Sequence, residues 1–122
     1  MTLENAHETV PFYKEICAHT LTEEAKQDDF QKAIEMCDTE EIIVPAGFGN
    51  IFPVRMLVHT PKSLKGKKNL VPYFCMHQGG AIGGSPDLNK PFACHYAVTL
   101  QCVAFNPTYM LAGTAYGETP EI

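Results

Sequence analysis

Four glycines fall within six residues, at 79, 80, 83 and 84, between His77-Gln78 and Ser85-Pro86. Glycine admits positive φ and lets a backbone approach a partner closely. Successive amides in such a loop can converge on one anion. The chemistry this offers is the binding of a phosphate or of the oxyanion formed in acyl transfer; the alternative is a plain turn. Gly79-Gly80-Ala-Ile-Gly83-Gly84 is out of phase with the dinucleotide pattern GxGxxG, which weighs against a Rossmann site. A serine nucleophile would have to be Ser63 or Ser85, the two serines of the sequence. Ser85 lacks the closing glycine of a GxSxG elbow, and Ser63 lies in a lysine-rich stretch. Cys75 and His77 alternate onto one strand face, but with His59 they lack metal-ligand spacing, so no metal and no cofactor is expected. His59, His77 and His95 read as structural residues of strands and a helix.

These residues need elements to hold them. Residues 8–19 suit a short helix after Pro11, and a second helix is expected over Thr22–Cys37, opened by a capping box at Thr20 and Glu23. The apolar period changes near Glu40. The β-branched run Glu40–Pro45 and the stretch Ile51–His59 read as a hairpin turning at 46–50, with Pro53 at the strand start. Pro61–Asn69, with Lys62, Lys65, Lys67 and Lys68, is expected to be a solvated connection. Leu70–Met76 is nearly all apolar, the pattern of a strand covered on both faces. A helix over Asn89–Gln101, with Pro91 in its first turn, and a strand over Cys102–Asn106 follow. Strand, glycine loop, helix and strand make a parallel βαβ crossover. The expected fold is therefore α/β: two N-terminal helices, an antiparallel hairpin and the crossover.

Composition narrows the function. At 122 residues there is room for one domain. With 45% hydrophobic and 19% charged residues, disordered, collagen-like and coiled-coil chains are excluded. The net charge of −5 argues against nucleic acid as a partner. No run of about 18 apolar residues is present, so no membrane span is expected. MTLENAHETV lacks the basic start and apolar run of a signal peptide. Cys17, Cys37, Cys75, Cys94 and Cys102 form no CxxC, and the expectation is reduced thiols in a cytoplasmic protein.

The stretch Tyr73-Phe-Cys-Met-His77-Gln-Gly-Gly-Ala-Ile-Gly-Gly-Ser-Pro86 resembles the third strand and HGGG loop of the hormone-sensitive-lipase-like α/β-hydrolases, where a Gly-Ser pair follows the motif. Val103-Ala-Phe-Asn-Pro-Thr-Tyr109-Met-Leu-Ala112 is similar to that family's fourth strand and Tyr-Arg-Leu-Ala-Pro-Glu segment, and Ile51–Pro61 to its second strand. The resemblance covers about residues 40–112. It implies the N-terminal half of an α/β-hydrolase fold, with a cap-like helical region at 1–39 and a truncated core with the first four strands at 40–122. It implies that the amides of Gly79 and Gly80 are oxyanion donors and that His77 and Gln78 support the loop. Three departures stand out. Gln78 replaces the first glycine of the motif, and because glutamine takes a positive φ only at a cost, a reshaped loop or turned donors are expected; Met110 replaces the arginine; Gly113-Thr114 replaces Pro-Glu. The family nucleophile, acid and histidine follow strand four in chain order, so no triad member is assigned within the 122 residues.

Two functions follow as expectations. One is part of a carboxylic-ester hydrolase that handles a small acyl ester only together with its C-terminal half. The other is a non-catalytic binding or interaction module on the same fold. In either, the strand Leu70–Met76 would lack its neighbour, and its bare edge would favour self-association.

Overall fold

The computed structural model describes residues 6–47, 52–80 and 83–111. Two helices open the chain, α1 at Ala6–Ala25 and α2 at Asp28–Glu35. The strands are β1 (Cys37–Val44), β2 (Val54–Pro61), β3 (Pro72–Phe74) and β4 (Val103–Pro107), with α3 (Pro86–Leu100) between β3 and β4. They form one four-stranded sheet in the order β1-β2-β4-β3. β1 and β2 pair antiparallel along their whole length, β2 pairs antiparallel with β4, and β3 lies parallel to β4. The expected hairpin and parallel crossover are both present; the expected turn at 46–50 falls partly outside the described residues.

Several boundaries differ from expectation for identifiable reasons. The single helix over Thr22–Cys37 is replaced by the end of α1, a break at Lys26-Gln27, and α2. The capping box does not form. α1 runs on through it and buries Leu21, while Glu23 pairs with Lys26 at 2.6 Å instead of reaching back. The chain restarts at extended Gln27, and Asp28 and Asp29 occupy the first turn of α2, where carboxylates favour the helix dipole. β1 begins at Cys37, ahead of Glu40. α3 begins three residues before Asn89, because Ser85 caps it and Pro86 takes the first helical position, leaving Pro91 inside the helix. The largest departure is the strand at Leu70–Met76. Only Pro72–Phe74 pair as β3, at the sheet edge, and all three are exposed. Val71 is 66% and Phe74 64% exposed, so the run is not covered on both faces.

The core is built from small side chains. Ala33, Cys37, Cys75, Ala93, Cys94, Ala97 and Ala104 form it, with Ile34 and Val98 packed against them. Alanines and cysteines let α3 settle close to the sheet. α2 covers α3 through Phe30, whose ring lies 4.8 Å from Phe92 and 5.0 Å from His95. All five thiols are free. Burial raises the Cys37 thiol and pushes that of Cys94 up to about 12, so both stay protonated and unreactive at neutral pH. Among the described residues no helix is long and apolar enough to cross a membrane.

Arg55 ties three elements together. Its guanidinium donates to Glu41 on β1 at 3.0 Å and to both carboxylate oxygens of Asp87 in the first turn of α3, at 2.7 and 2.9 Å. Both carboxylates are more than half exposed, so water screens much of the attraction. Arg55→Ala is expected to lower unfolding stability by about 1 kcal/mol, read as a shift of the urea midpoint at unchanged slope.

Candidate functional site

The glycine loop leaves the carboxyl end of β3 and enters the amino end of α3. Cys75 continues the ladder, donating its amide to Phe105 at 2.8 Å. His77 is buried, and its Nδ1–H donates to its neighbour's carbonyl, Gln78 O, at 2.9 Å. Burial holds the imidazole below its usual range, the Gln78 bond opposing this in part. The ring stacks on Tyr109, with centroids 4.0 Å apart and planes 11° apart, and the Tyr109 hydroxyl donates to His77 O at 2.7 Å. Tyr109 is itself placed by Thr108, whose amide and hydroxyl both donate to Arg55 O, at 2.8 and 3.1 Å.

The loop then closes on itself. Gly83 N donates to Gly79 O at 3.1 Å. Gly79 (φ +131), Gly80 (φ +60) and Gly84 (φ +85) all have positive φ. At Gly79 a Cβ would stand 2.1 Å from Gly83 O, and at Gly84 one would stand 2.0 Å from Gln78 O. These two positions therefore need glycine for space as well as for conformation. Among the described residues nothing would lie within 4 Å of a Cβ on Gly80, where the φ of +60 is what favours glycine. Gln78 is absent from the positive-φ residues. The side chain that replaces glycine here thus carries no left-handed strain. Among the described residues, the amides of Gly79 and Gly80 donate to no backbone or side-chain acceptor. α1 lies over the far side of the loop: a Cβ on Gly83 would come within 3.2 Å of Lys14 Cα and Cys17 Cβ.

Ser85 Oγ accepts from Leu88 N at 3.1 Å and so serves as the helix cap. Ser63 lies far along the chain, its hydroxyl against Gln101. No group of three or more potential metal ligands occurs among the described residues. Cys75 and His77 both lie at the loop entrance, and His59 reaches Cys75 only through Asn106 and Asn89.

Where His59 goes was not legible from its spacing. It is fully buried on β2, and burial, with the Lys90 charge adding to it, lowers its pKa to about 4. Nδ1 faces Thr39 Oγ1 on β1 at 2.9 Å, and Nε2 faces Asn106 Nδ2 on β4 at 3.1 Å. Asn106 Nδ2 also donates to Pro86 O at 2.9 Å, and Asn106 Oδ1 accepts from Asn89 Nδ2 at 3.1 Å. Asn89 Nδ2 reaches Cys75 O at 3.2 Å. This chain of buried amides joins both ends of the loop. The available signal was a pair of asparagines, Asn89 and Asn106, in apolar helix and strand sequence, since buried polar groups need partners.

The fold is shared with an esterase of the archaeon Pyrobaculum calidifontis. Its monoclinic crystal form aligns with a TM-score of 0.65 at 21% sequence identity, covering 87% of this chain and 31% of that one. A second structure, described as a hyperthermophilic esterase from that archaeon, aligns with a TM-score of 0.63 at 22% identity, covering 85% of this chain and 31% of that one. This chain is thus a mixed α/β unit matching part of an esterase α/β-hydrolase fold, spanning under a third of the esterase's length. No protein-family model and no curated protein matches the sequence.

Proposed function

We propose that these residues are the oxyanion-loop portion of a carboxylic-ester hydrolase of the hormone-sensitive-lipase-like kind. In this reading residues 1–39 are a cap-like region, and 40–122 hold the first four core strands. The observation that carries it is the loop between β3 and α3, where Gly79 and Gly80, whose amides are the proposed donors, both have positive φ and the loop closes through the bond from Gly83 N to Gly79 O. Two such donors can receive the negative charge that grows on the carbonyl oxygen as an ester becomes tetrahedral. His77 and Gln78 support them, the first through its stack on Tyr109 and the second through a carbonyl that His77 holds. The reading calls for a nucleophile, an acid and a histidine, none of which is assigned among these residues, and it calls for no cofactor. The five free thiols suit a cytoplasmic location.

The polypeptide 1–122 alone is expected to show no turnover of a short activated ester, whereas the full protein hydrolyses it. Ser85 is engaged as a helix cap and Ser63 faces Gln101. A stoichiometric burst followed by steady turnover from the polypeptide alone, abolished by Ser85→Ala, would contradict this. A full protein that binds acyl esters without turning them over would point to the binding-module reading.

The same polypeptide is expected to self-associate through β3. Val71, Phe74 and Met76 are all more than half exposed beside an edge with unpaired backbone groups. Sedimentation should show concentration-dependent association that Phe74→Lys reduces; a concentration-independent monomer would count against it.

A further inference from the structure

We propose that Asn106 is a positioning residue of the glycine loop: one buried carboxamide on β4 ties the loop's exit at Pro86 to its entry at Cys75, and so sets the direction of the Gly79 and Gly80 amides. Two backbone carbonyls orient the amides. A carbonyl only accepts, so Pro86 O fixes Nδ2 of Asn106 on its side and Cys75 O fixes Nδ2 of Asn89 on its side. With both amides oriented, Asn106 Oδ1 receives the remaining hydrogen of Asn89, and the second hydrogen of Asn106 points at His59 Nε2. His59 must then accept at Nε2, carry its proton on Nδ1, and donate to Thr39 Oγ1. Its low pKa keeps the ring in that neutral form at neutral pH.

The links from His59 through Asn106 and Asn89 to Cys75 and Pro86 are buried, while the Thr39 end is exposed. His59 and Asn106 are 0% exposed and Asn89 is 2% exposed, so water cannot replace a lost partner. Cys75 lies two residues before His77, and Pro86 directly follows Ser85, so the network spans the loop's base. The ring of His59 is therefore a reporter of the network: its tautomer follows the orientation of Asn106.

The consequence for ester turnover rests on the oxyanion reading of Gly79 and Gly80; the geometric role does not. The test is Asn106→Asp in the full protein, labelled with 15N at glycine and histidine. A carboxylate places acceptors against both Pro86 O and His59 Nε2. The expected result is that His59 leaves its Nδ1–H form and the Gly79 and Gly80 amide resonances move. Turnover of a short ester should fall about 100-fold in kcat with KM little changed, the size of effect that small misplacement of reacting groups produces. Leu64→Ala, a truncation of a buried residue on the turn after β2, should move neither glycine resonance. Asn89→Ala, which frees only the Cys75 end, should move them as well and serves if Asn106→Asp does not fold. Glycine resonances that stay in place in the folded variant, or that move equally in Leu64→Ala, would overturn the positioning role. Resonances that move while kcat is unchanged would uphold that role and remove the oxyanion reading instead.

Discussion

Gly79→Ala is expected to lower ester turnover by the full protein about 10²–10³-fold, the effect of losing one oxyanion donor, or about 2.7–4 kcal/mol of transition-state stabilisation. A backbone amide cannot be deleted by substitution, but it can be displaced. The alanine Cβ would lie 2.1 Å from Gly83 O and 2.4 Å from Gly83 C, both backbone atoms of the same loop. The φ of +131 is equally closed to alanine. The loop has to open, and the bond from Gly83 N to Gly79 O is lost with it. KM should change little, because the donors act mainly on charge that develops in the transition state. Gly80→Ala is the informative contrast. Among the described residues it meets no atom within 4 Å, and it carries the left-handed penalty at φ +60, about 1–2 kcal/mol of stability. Steady-state kinetics of both variants, with circular dichroism to confirm folding, measure the difference. Equal, small effects on kcat would mean that the loop is a turn and nothing more.

The second large effect is loss of stability in mild acid. An unfolded His59 takes up a proton near pH 6.5, whereas the folded one resists protonation until about pH 4. Between these values the unfolded state binds more protons, so stability rises with pH there and is lost as pH falls. The loss from this one group approaches about 3 kcal/mol by pH 4 and levels off below it. Asp87, held below its ordinary range chiefly by the Arg55 hydrogen bond, adds a loss of the same direction at lower pH, below its ordinary 3.8. His59→Gln, which keeps an acceptor for Asn106 and a donor for Thr39, should flatten the upper part of the profile. Urea unfolding across this pH range checks it; a wild-type slope that His59→Gln leaves intact would assign the acid lability elsewhere.

The α/β order was legible because two strong local signals carried it: the change of apolar period near Glu40 and the glycine loop between a strand and a helix. The positive φ of Gly79 and Gly80 agrees with the reason for singling them out. What was illegible depended on tertiary partners. The Thr20–Glu23 capping box looked sound locally, but burying Leu21 favoured a longer α1. The apolar run Leu70–Met76 reads as a fully covered strand, yet in the sheet it is an edge, with Cys75 inward and Phe74 outward. Beyond the two asparagines in apolar sequence, the His59–Asn106–Asn89 network was not legible, because its members are scattered over three elements and meet only when β2 and β4 pair and α3 packs on them.

The central claim is that Gly79 and Gly80 receive the oxyanion. It is tested most directly by a crystal structure of the full protein inactivated with a short alkylphosphonate ester, which mimics the tetrahedral intermediate. The expected structure has a phosphonyl oxygen at about 3 Å from both the Gly79 and the Gly80 nitrogen. A phosphonyl oxygen held by other donors, with both glycine amides turned away from it, would contradict the account.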